Sequence, residues 1–175
     1  MELTIQKADT LKPLPDDSEL GFGTIFTDHM FNMDYNQEKG WHNPRIEPYQ
    51  PIVMDPSTMV LHYGQSIFEG LKAFKTPSGG IQVFRPTENF KRFNRSGHRL
   101  CMPPLDEEFA LKAMMQLLEV DKRWVPSTPG TSLYIRPTII AMDPYIGVRA
   151  SYTYRLFIIM SPVGAYYKEG FNPVK

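Results

Sequence analysis

The sequence lacks the features that identify several large classes of protein. It contains a single cysteine, Cys101, which excludes an internal disulfide framework and is typical of a reducing compartment. It has no apolar run close to the ~20 residues that cross a bilayer, and residues 1–20 lack the apolar core of a secretory signal. We therefore expect a cytoplasmic protein without a membrane partner.

Net charge is absent as well, because 19 basic residues (Lys and Arg) balance 19 acidic ones (Asp and Glu). A neutral chain has no electrostatic attraction to nucleic acid or to an anionic membrane surface. The four histidines have no spacing typical of a zinc site. The sequence also lacks a phosphate-binding loop, a dinucleotide-binding glycine motif and a nucleophile elbow. We therefore expect no nucleic-acid partner and no metal.

The length of 175 residues is that of one domain. Residues 1–19 are polar and have no helical period, so we interpret them as an N-terminal tail before a small domain over 20–175. Alternating apolar residues predict strand pieces at 22–26 and 31–35. The proline-rich stretch 40–56 predicts a loop or an edge strand, because proline cannot donate to a sheet ladder.

The middle of the chain predicts a hairpin and then two helices. Two short apolar runs, 71–75 and 81–85, flank a Gly-Gly turn and are typical of a β-hairpin. Thr87 is the predicted N-cap of the first helix. Asp106 is the predicted N-cap of the second, whose apolar stripe reaches Trp124.

Two more strands complete the predicted fold. Apolar and polar residues alternate over 132–142, where Pro137 indicates an edge strand or a bulge, and residues 155–160 form a continuous apolar strand. Strands outnumber helices and several connections are short. We therefore expect an α+β domain with two layers, a mostly antiparallel sheet and helices packed on it.

Tyr134 and Arg136 form the first group with chemical potential. They are two positions apart on a predicted strand, so both side chains leave the same face of the sheet. A guanidinium can bind a carboxylate through two parallel hydrogen bonds, and a phenol beside it can donate to the same anion. The pair suits a small carboxylic acid. The alternative is a solvated arginine on an exposed strand face, which spacing alone favours.

Three arginines of the first predicted helix, Arg92, Arg95 and Arg99, fall on one face at steps of three and four residues. Guanidinium groups suit phosphate oxygens, so this face could hold a phosphate. The alternative is a charged face in contact with solvent, which is the more common role of a basic run.

Four segments in order along the chain resemble the branched-chain amino-acid aminotransferases, within fold type IV of the pyridoxal-phosphate-dependent enzymes. The segments are 22–30, 62–74, 132–137 and 161–167. Together they fit this branch better than the D-amino-acid transaminases or the aminodeoxychorismate lyases of the same fold. The resemblance implies the N-terminal domain of a transaminase that moves the amino group of leucine, isoleucine or valine to 2-oxoglutarate, giving branched-chain 2-oxo acids and glutamate.

The resemblance also implies roles for individual residues. Arg92 matches the arginine that binds the cofactor phosphate, and Tyr134 and Arg136 match residues that face the substrate. In the family this second arginine is linked to the side-chain carboxylate of glutamate or 2-oxoglutarate. The aromatic walls of the aliphatic pocket are matched by Phe22, Phe68 and Tyr166. Residues lent to the pocket by the other subunit of a homodimer are matched by Tyr63, Ile146 and Val148.

The lysine that holds the cofactor as a Schiff base in this family lies in a segment that the resemblance puts beyond Lys175. None of the lysines present matches it, so no catalytic residue is assigned here. We expect the cofactor-lysine domain outside this chain, and the chain alone to be inactive. Two alternatives stay open: a truncated homologue that serves as a non-catalytic interaction or dimerisation module, and a related enzyme such as a D-amino-acid transaminase.

Overall fold

The computed structural model describes residues 1–164, in which eight strands form one sheet with the helices packed against it. The strands are β1 (Thr4–Ile5), β2 (His29–Asn36), β3 (Gly40–Pro48), β4 (Ser66–Phe68), β5 (Leu71–Lys75), β6 (Ile81–Val83), β7 (Ser132–Ala141) and β8 (Tyr154–Val163). The α-helices are α1 (Met59–Tyr63), α2 (Pro86–Arg99) and α3 (Glu107–Val120), and short 3-10 helices span Asp17–Glu19 and Lys122–Trp124. None of the helices in this part of the chain is long and apolar enough to cross a bilayer.

The sheet is mixed but almost wholly antiparallel. Its strands follow the order β1-β3-β2-β8-β7-β5-β6, and β4 pairs with β7 beside β5. Every pair is antiparallel except the short parallel pair of β1 with β3. The predicted fold class, a two-layer α+β domain with a mostly antiparallel sheet, is confirmed.

The core lies between the helices and one face of the sheet. Alternate residues of the two central strands are fully buried there, because successive side chains of a strand point to opposite faces. The buried set includes Leu133, Ile135, Leu156 and Ile158 from β7 and β8, and Phe90, Phe93, Met114 and Leu117 from α2 and α3. On the opposite face, Tyr134, Arg136 and Thr138 of β7 and Phe157 and Ile159 of β8 are only half-buried, which leaves room for a site.

Several predicted elements are confirmed. The hairpin of β5 and β6 turns through residues 76–80, as the Gly-Gly pair indicates. Asp106 is the N-cap of α3, since its Oδ1 accepts the backbone N–H of Phe109 at 3.0 Å. Residues 31–35 lie within β2. The strands predicted at 132–142 and 155–160 are present as β7 and β8.

Other predictions were wrong at the level of single elements. Residues 22–26 form a loop instead of a strand, and Phe26 stacks on Tyr49 with ring centroids 5.1 Å apart. Thr87 is not a cap, because Pro86 already occupies the first turn of α2 and leaves the N-cap position to Arg85. Trp124 lies in the 3-10 helix after α3 and not in α3 itself.

The prediction that Pro137 marks an edge or a bulge was also wrong. β7 is an interior strand, with β8 on one side and both β4 and β5 on the other. Pro137 pairs with Ile158 of β8. On its other side it lies opposite the junction between β4 and β5, where its carbonyl accepts the N–H of Glu69 at 3.0 Å. In an antiparallel ladder the N–H and C=O of one residue point to the same side. The side of Pro137 that lacks an N–H therefore faces Glu69, and the one hydrogen bond missing there separates β4 from β5, which keep the same register along β7.

The N-terminal residues interpreted as a tail run along the domain and are bound to it at several points. β1 pairs with β3, the N–H of Ala8 donates to Nε2 of His29 at 2.8 Å, and the N–H of Lys12 donates to Oδ1 of Asp28 at 2.8 Å. The carboxylate of Asp17 accepts two backbone N–H groups from the loop before β7.

Candidate functional site

Tyr134 and Arg136 project together from the half-buried face of β7, as their spacing predicts. Nη2 of Arg136 donates to the phenolic oxygen of Tyr134 at 2.6 Å. The guanidinium carbon of Arg136 lies 4.1 Å from the ring centroid of Phe68 and 5.1 Å from that of Tyr134. Two aromatic faces and one hydrogen bond therefore fix the guanidinium plane.

Phe22 reaches the same place from the loop before β2. Its ring centroid lies 5.1 Å from that of Tyr134, at an interplanar angle of 56°. The two rings form part of the wall of a cavity of about 240 Å³ on this face of the sheet. The cavity is lined by Phe22, Gly23, Phe26, Tyr134, Arg136, Ile159, Met160 and Ser161. Its wall is thus mainly aromatic and aliphatic, with the guanidinium and the phenol as polar groups.

One atom of this cavity points to the kind of ligand that it suits. Nε of Arg136 is buried and has no hydrogen-bond partner among the described residues. Buried polar groups are nearly always paired, and a buried donor without a partner costs about 1–3 kcal/mol. The guanidinium of Arg136 lines the cavity, and its planar set of donors matches an anionic ligand with planar oxygens, such as a carboxylate.

Arg92 lies on α2 and forms a two-point ion pair with Glu69. Its Nε and Nη2 donate to the two carboxylate oxygens of Glu69 at 2.6 and 2.7 Å, and Asn89 donates to the same carboxylate at 2.9 Å. Burial alone would raise the pKa of the Glu69 carboxyl, but the hydrogen bonds from Arg92 and Asn89 outweigh it and hold that pKa below its ordinary value of 4.5. Glu69 is therefore ionised and holds the guanidinium of Arg92 in one orientation.

The side chain of Arg92 is 61% exposed although its partner Glu69 is buried. Within residues 1–164, its third nitrogen, Nη1, has no protein acceptor, so the outer edge of the guanidinium can bind an anion. Arg95 and Arg99 are exposed on the same helix. Of the three arginines, Arg92 is the one whose guanidinium is oriented by Glu69. This ion pair distinguishes Arg92 from an arginine that only adds charge to an exposed helix face.

Tyr63, Ile146 and Val148, which the resemblance assigns to the partner subunit's pocket, do not line the cavity. All three are exposed, Val148 by 90%, and the hydroxyl of Tyr63 donates to the carbonyl oxygen of Ile146. Phe68 is 60% exposed and supports Arg136 from below the guanidinium plane. Tyr166 lies outside the described residues.

Sequence reasoning missed some residues that the structure brings to the site. Ile159 and Ser161 line the cavity because β8 pairs Arg136 with Ile159 and Tyr134 with Ser161. The register between two strands leaves no mark in either strand's own sequence. Glu69 was missed as well, since an ion pair across 23 residues has no local pattern.

A second cluster of ionisable groups, Asp28, His29 and Asp121, is fully buried away from the cavity lining. Nδ1 of His29 lies 2.7 Å from Oδ1 of Asp121, and Asp28 accepts from the side chains of Arg123 and Trp124. Each potential ligand atom in the cluster thus has a protein partner. The cluster joins the start of β2 to the end of α3, which is a structural role.

Comparisons with known proteins show which family the chain resembles. No family model matches the chain. The chain is 56% identical over 173 residues to branched-chain-amino-acid aminotransferase 2 of Bacillus subtilis, covering 99% of the chain and 48% of that protein. It is 49% identical over 166 residues to a probable branched-chain-amino-acid aminotransferase of Staphylococcus epidermidis, covering 95% and 46%. The chain thus spans about half the length of the curated relatives that it matches.

The fold of the chain is similar to that of solved branched-chain aminotransferases. The branched-chain aminotransferase of Escherichia coli superposes with a TM-score of 0.60 at 25% identity, over 79% of this chain and 41% of the other. The enzyme of Thermoproteus uzoniensis with norvaline gives 0.64 at 22% identity, over 80% and 43%. A third branched-chain aminotransferase, complexed with N-(5'-phosphopyridoxyl)-L-glutamate, gives 0.57 at 24% identity, over 73% and 39%.

The fold is that of the N-terminal domain of the branched-chain aminotransferase structures. The chain belongs to the family of the branched-chain aminotransferases and corresponds to their N-terminal part.

Proposed function

We propose that this chain is the N-terminal domain of a pyridoxal-phosphate-dependent transaminase, which transfers the amino group of leucine, isoleucine or valine to 2-oxoglutarate. The observation that carries the proposal is the cavity in which Arg136, Tyr134 and Phe22 meet. Such a transaminase must bind two kinds of substrate in one place, one with an aliphatic side chain and one with a carboxylate side chain. This cavity has surfaces for both.

The carboxylate side chain of glutamate or 2-oxoglutarate would bind to Arg136. The guanidinium lines the cavity and is held by the rings of Phe68 and Tyr134. A charge-assisted hydrogen bond to a fixed guanidinium contributes about 1.5–3 kcal/mol. Because the rings fix Arg136 before the substrate arrives, little side-chain entropy is lost on binding.

The aliphatic side chains would pack on the aromatic and aliphatic wall, mainly Phe22, Phe26 and Ile159. Burying a side chain of leucine size contributes roughly 1.5–3 kcal/mol. One methylene group more or less changes binding by only about 1–3 kcal/mol. We therefore expect leucine, isoleucine and valine to be accepted with modest discrimination.

The cofactor phosphate would bind to the outer edge of Arg92, which Glu69 orients and which stays open to an anion. When bound, pyridoxal phosphate supplies the electron sink of the reaction, and the protein supplies binding and orientation. The lysine that carries the cofactor in this family is assigned to the part of the protein outside this chain. The chain therefore contributes substrate recognition and a phosphate contact, and by itself is expected to be inactive.

We further infer a homodimer in which Tyr63, Ile146 and Val148 of each subunit reach the pocket of the other. Their exposure supports this inference, because large apolar side chains of a monomer are seldom grouped at the surface without a partner. The proposed arrangement has a small domain over 20–175 preceded by residues 1–19, in a cytoplasmic protein, as the single cysteine indicates.

The test is an assay of the full-length protein with L-leucine and 2-oxoglutarate, in which glutamate formation is measured with and without added pyridoxal phosphate. D-alanine replaces L-leucine in a parallel reaction. The proposal expects glutamate from L-leucine and none from D-alanine. Activity on D-alanine alone would assign the protein to the D-amino-acid transaminases, and no cofactor binding would indicate a non-catalytic module.

A further inference from the structure

We propose that three consecutive residues, Phe68, Glu69 and Gly70, position all three anion-binding side chains of the site. These residues link β4 to β5, and we call them the β4–β5 junction. Phe68 supports Arg136, Glu69 orients Arg92, and Gly70 leaves space for Tyr134. The inference rests on the proposed function, because it concerns how the same site is held ready for its ligands.

The junction between β4 and β5 is the place where one hydrogen bond is missing from the ladder with β7. β4 pairs with residues 138–140 of β7, and β5 pairs with residues 133–135. Between them, Glu69 donates its N–H to the carbonyl of Pro137, which has no N–H to return. The register is the same on both sides of this gap, so Phe68 and Gly70 lie on the face that carries Tyr134 and Arg136, and Glu69 lies on the opposite face, toward α2.

Phe68 acts through the face of its ring. The guanidinium carbon of Arg136 lies 4.1 Å from the ring centroid, a distance at which the negative ring face attracts a cation. The ring is 60% exposed, so burial in a core does not explain its position. Contact with Arg136 is the cation–π contact that the Phe68 ring makes among residues 1–164.

Glu69 acts through a buried carboxylate. It is only 4% exposed and accepts three hydrogen bonds at 2.6, 2.7 and 2.9 Å from Arg92 and Asn89. The planar fork of Arg92 is thereby fixed along Nε and Nη2. The remaining edge is the one turned toward a ligand.

Gly70 contributes by having no side chain, which leaves space for the phenol of Tyr134. A Cβ at this position would lie 2.3 Å from the phenolic oxygen of Tyr134 and 3.0 Å from Cζ. No other residue can stand here without displacing the phenol. Because Nη2 of Arg136 donates to that oxygen, displacement would also loosen Arg136.

The three supports predict effects that can be separated. Loss of the Glu69 carboxylate should weaken cofactor retention and spare substrate binding. A side chain at position 70 should weaken substrate binding and spare cofactor retention. If the β4–β5 junction served only to stabilise the fold, each substitution would weaken cofactor retention and substrate binding together. Separate effects on the two therefore distinguish a positioning role from a role in stability.

The first experiment measures the Kd of the full-length apoprotein for pyridoxal phosphate, by titration followed through visible absorbance, and then the cofactor retained after gel filtration. Arg92→Ala is the reference variant, and Lys91→Ala is the control, since it removes a neighbouring charge that pairs only with exposed Glu88. We expect Glu69→Gln to raise the cofactor Kd about tenfold, because the amide cannot accept both bonds from Arg92. Glu69→Asp keeps the charge and should show a smaller loss.

The second experiment measures KM for glutamate and 2-oxoglutarate at saturating cofactor. Gly70→Ala should raise KM about tenfold in the wild-type background. It should have a smaller effect in a Tyr134→Phe background, where the clashing oxygen is gone, so the two substitutions are coupled. Gly21→Ala is the control, because the nearest atom to its Cβ is 3.9 Å away.

Two results would overturn the inference. One is unchanged cofactor retention in Glu69→Gln while Arg92→Ala loses the cofactor. The other is an equal effect of Gly70→Ala in the wild-type and Tyr134→Phe backgrounds. If Arg92→Ala retains the cofactor and Arg136→Ala leaves every KM unchanged, the proposed function fails instead. The reference variants therefore distinguish the two failures.

Discussion

Arg136 combines two properties that rarely occur together in a surface arginine. Its guanidinium is held between the rings of Phe68 and Tyr134, and its Nε is buried without a partner in the described residues. A buried donor without a partner destabilises the folded protein by about 1–3 kcal/mol. Local costs of this kind are common at functional sites.

The first prediction concerns Arg136→Ala in the full-length protein. We expect KM for glutamate and 2-oxoglutarate to rise about 10- to 100-fold, because a charge-assisted contact is lost, and KM for leucine to change much less. Steady-state kinetics with both substrate pairs measures this difference. Arg99→Ala, an exposed arginine on α2, is the matched control. An equal rise for leucine and glutamate would contradict the role given to Arg136.

At the scale of elements, local sequence patterns predicted the features that depend only on residues close in sequence, such as the face of a strand or the start of a helix. The alternation over β7 predicted that Tyr134 and Arg136 share a face, and Asp106 predicted the start of α3. The partners of these elements could not be predicted, because the pairing of β7 with β4, β5 and β8 is set by tertiary packing. For the same reason Pro137 was misinterpreted, since its carbonyl still accepts the N–H of Glu69 and the strand loses only the hydrogen bond that proline cannot donate.

The second prediction concerns the N-terminus of α3. Asp106→Ala should lower the free energy of unfolding by about 1 kcal/mol, because the N–H of Phe109 loses its acceptor. Asp106→Asn keeps a side-chain oxygen at the same position and should cost much less. Chemical denaturation of the three proteins measures the difference, and equal stability of the Ala and Asn variants would refute the capping role.

At the scale of the whole molecule, the carboxylate of Asp28 joins distant parts of the chain. It accepts the N–H of Lys12 from the N-terminal segment and the side chains of Arg123 and Trp124 from beyond α3. Burial would raise the pKa of Asp28, but these hydrogen bonds outweigh it and hold the pKa below its ordinary value of 3.8. Asp28 therefore stabilises the ionised, assembled state, in which the loop bearing Phe22 is fixed on both sides.

The third prediction follows from the sign of that shift. A lowered pKa means that the stabilisation by Asp28 is present above pH 3.8 and is lost as the pH falls through the lower, folded value. Asp28→Asn should reduce thermal stability at pH 7 and lose less further stability on acidification than the wild type. Melting temperatures from pH 7 to about pH 3 measure this. Parallel melting curves for the two proteins would contradict it.

The same connection has a consequence for how the protein is made. Nη2 of Arg123 binds the carbonyl of Lys12 across 111 positions of sequence. At a synthesis rate of about 5–20 residues per second, Lys12 leaves the ribosome roughly 5–20 seconds before Arg123. The carbonyl of Lys12 therefore lacks this partner until Arg123 has been made, whereas β3, the partner of β1, is complete within the first 48 residues.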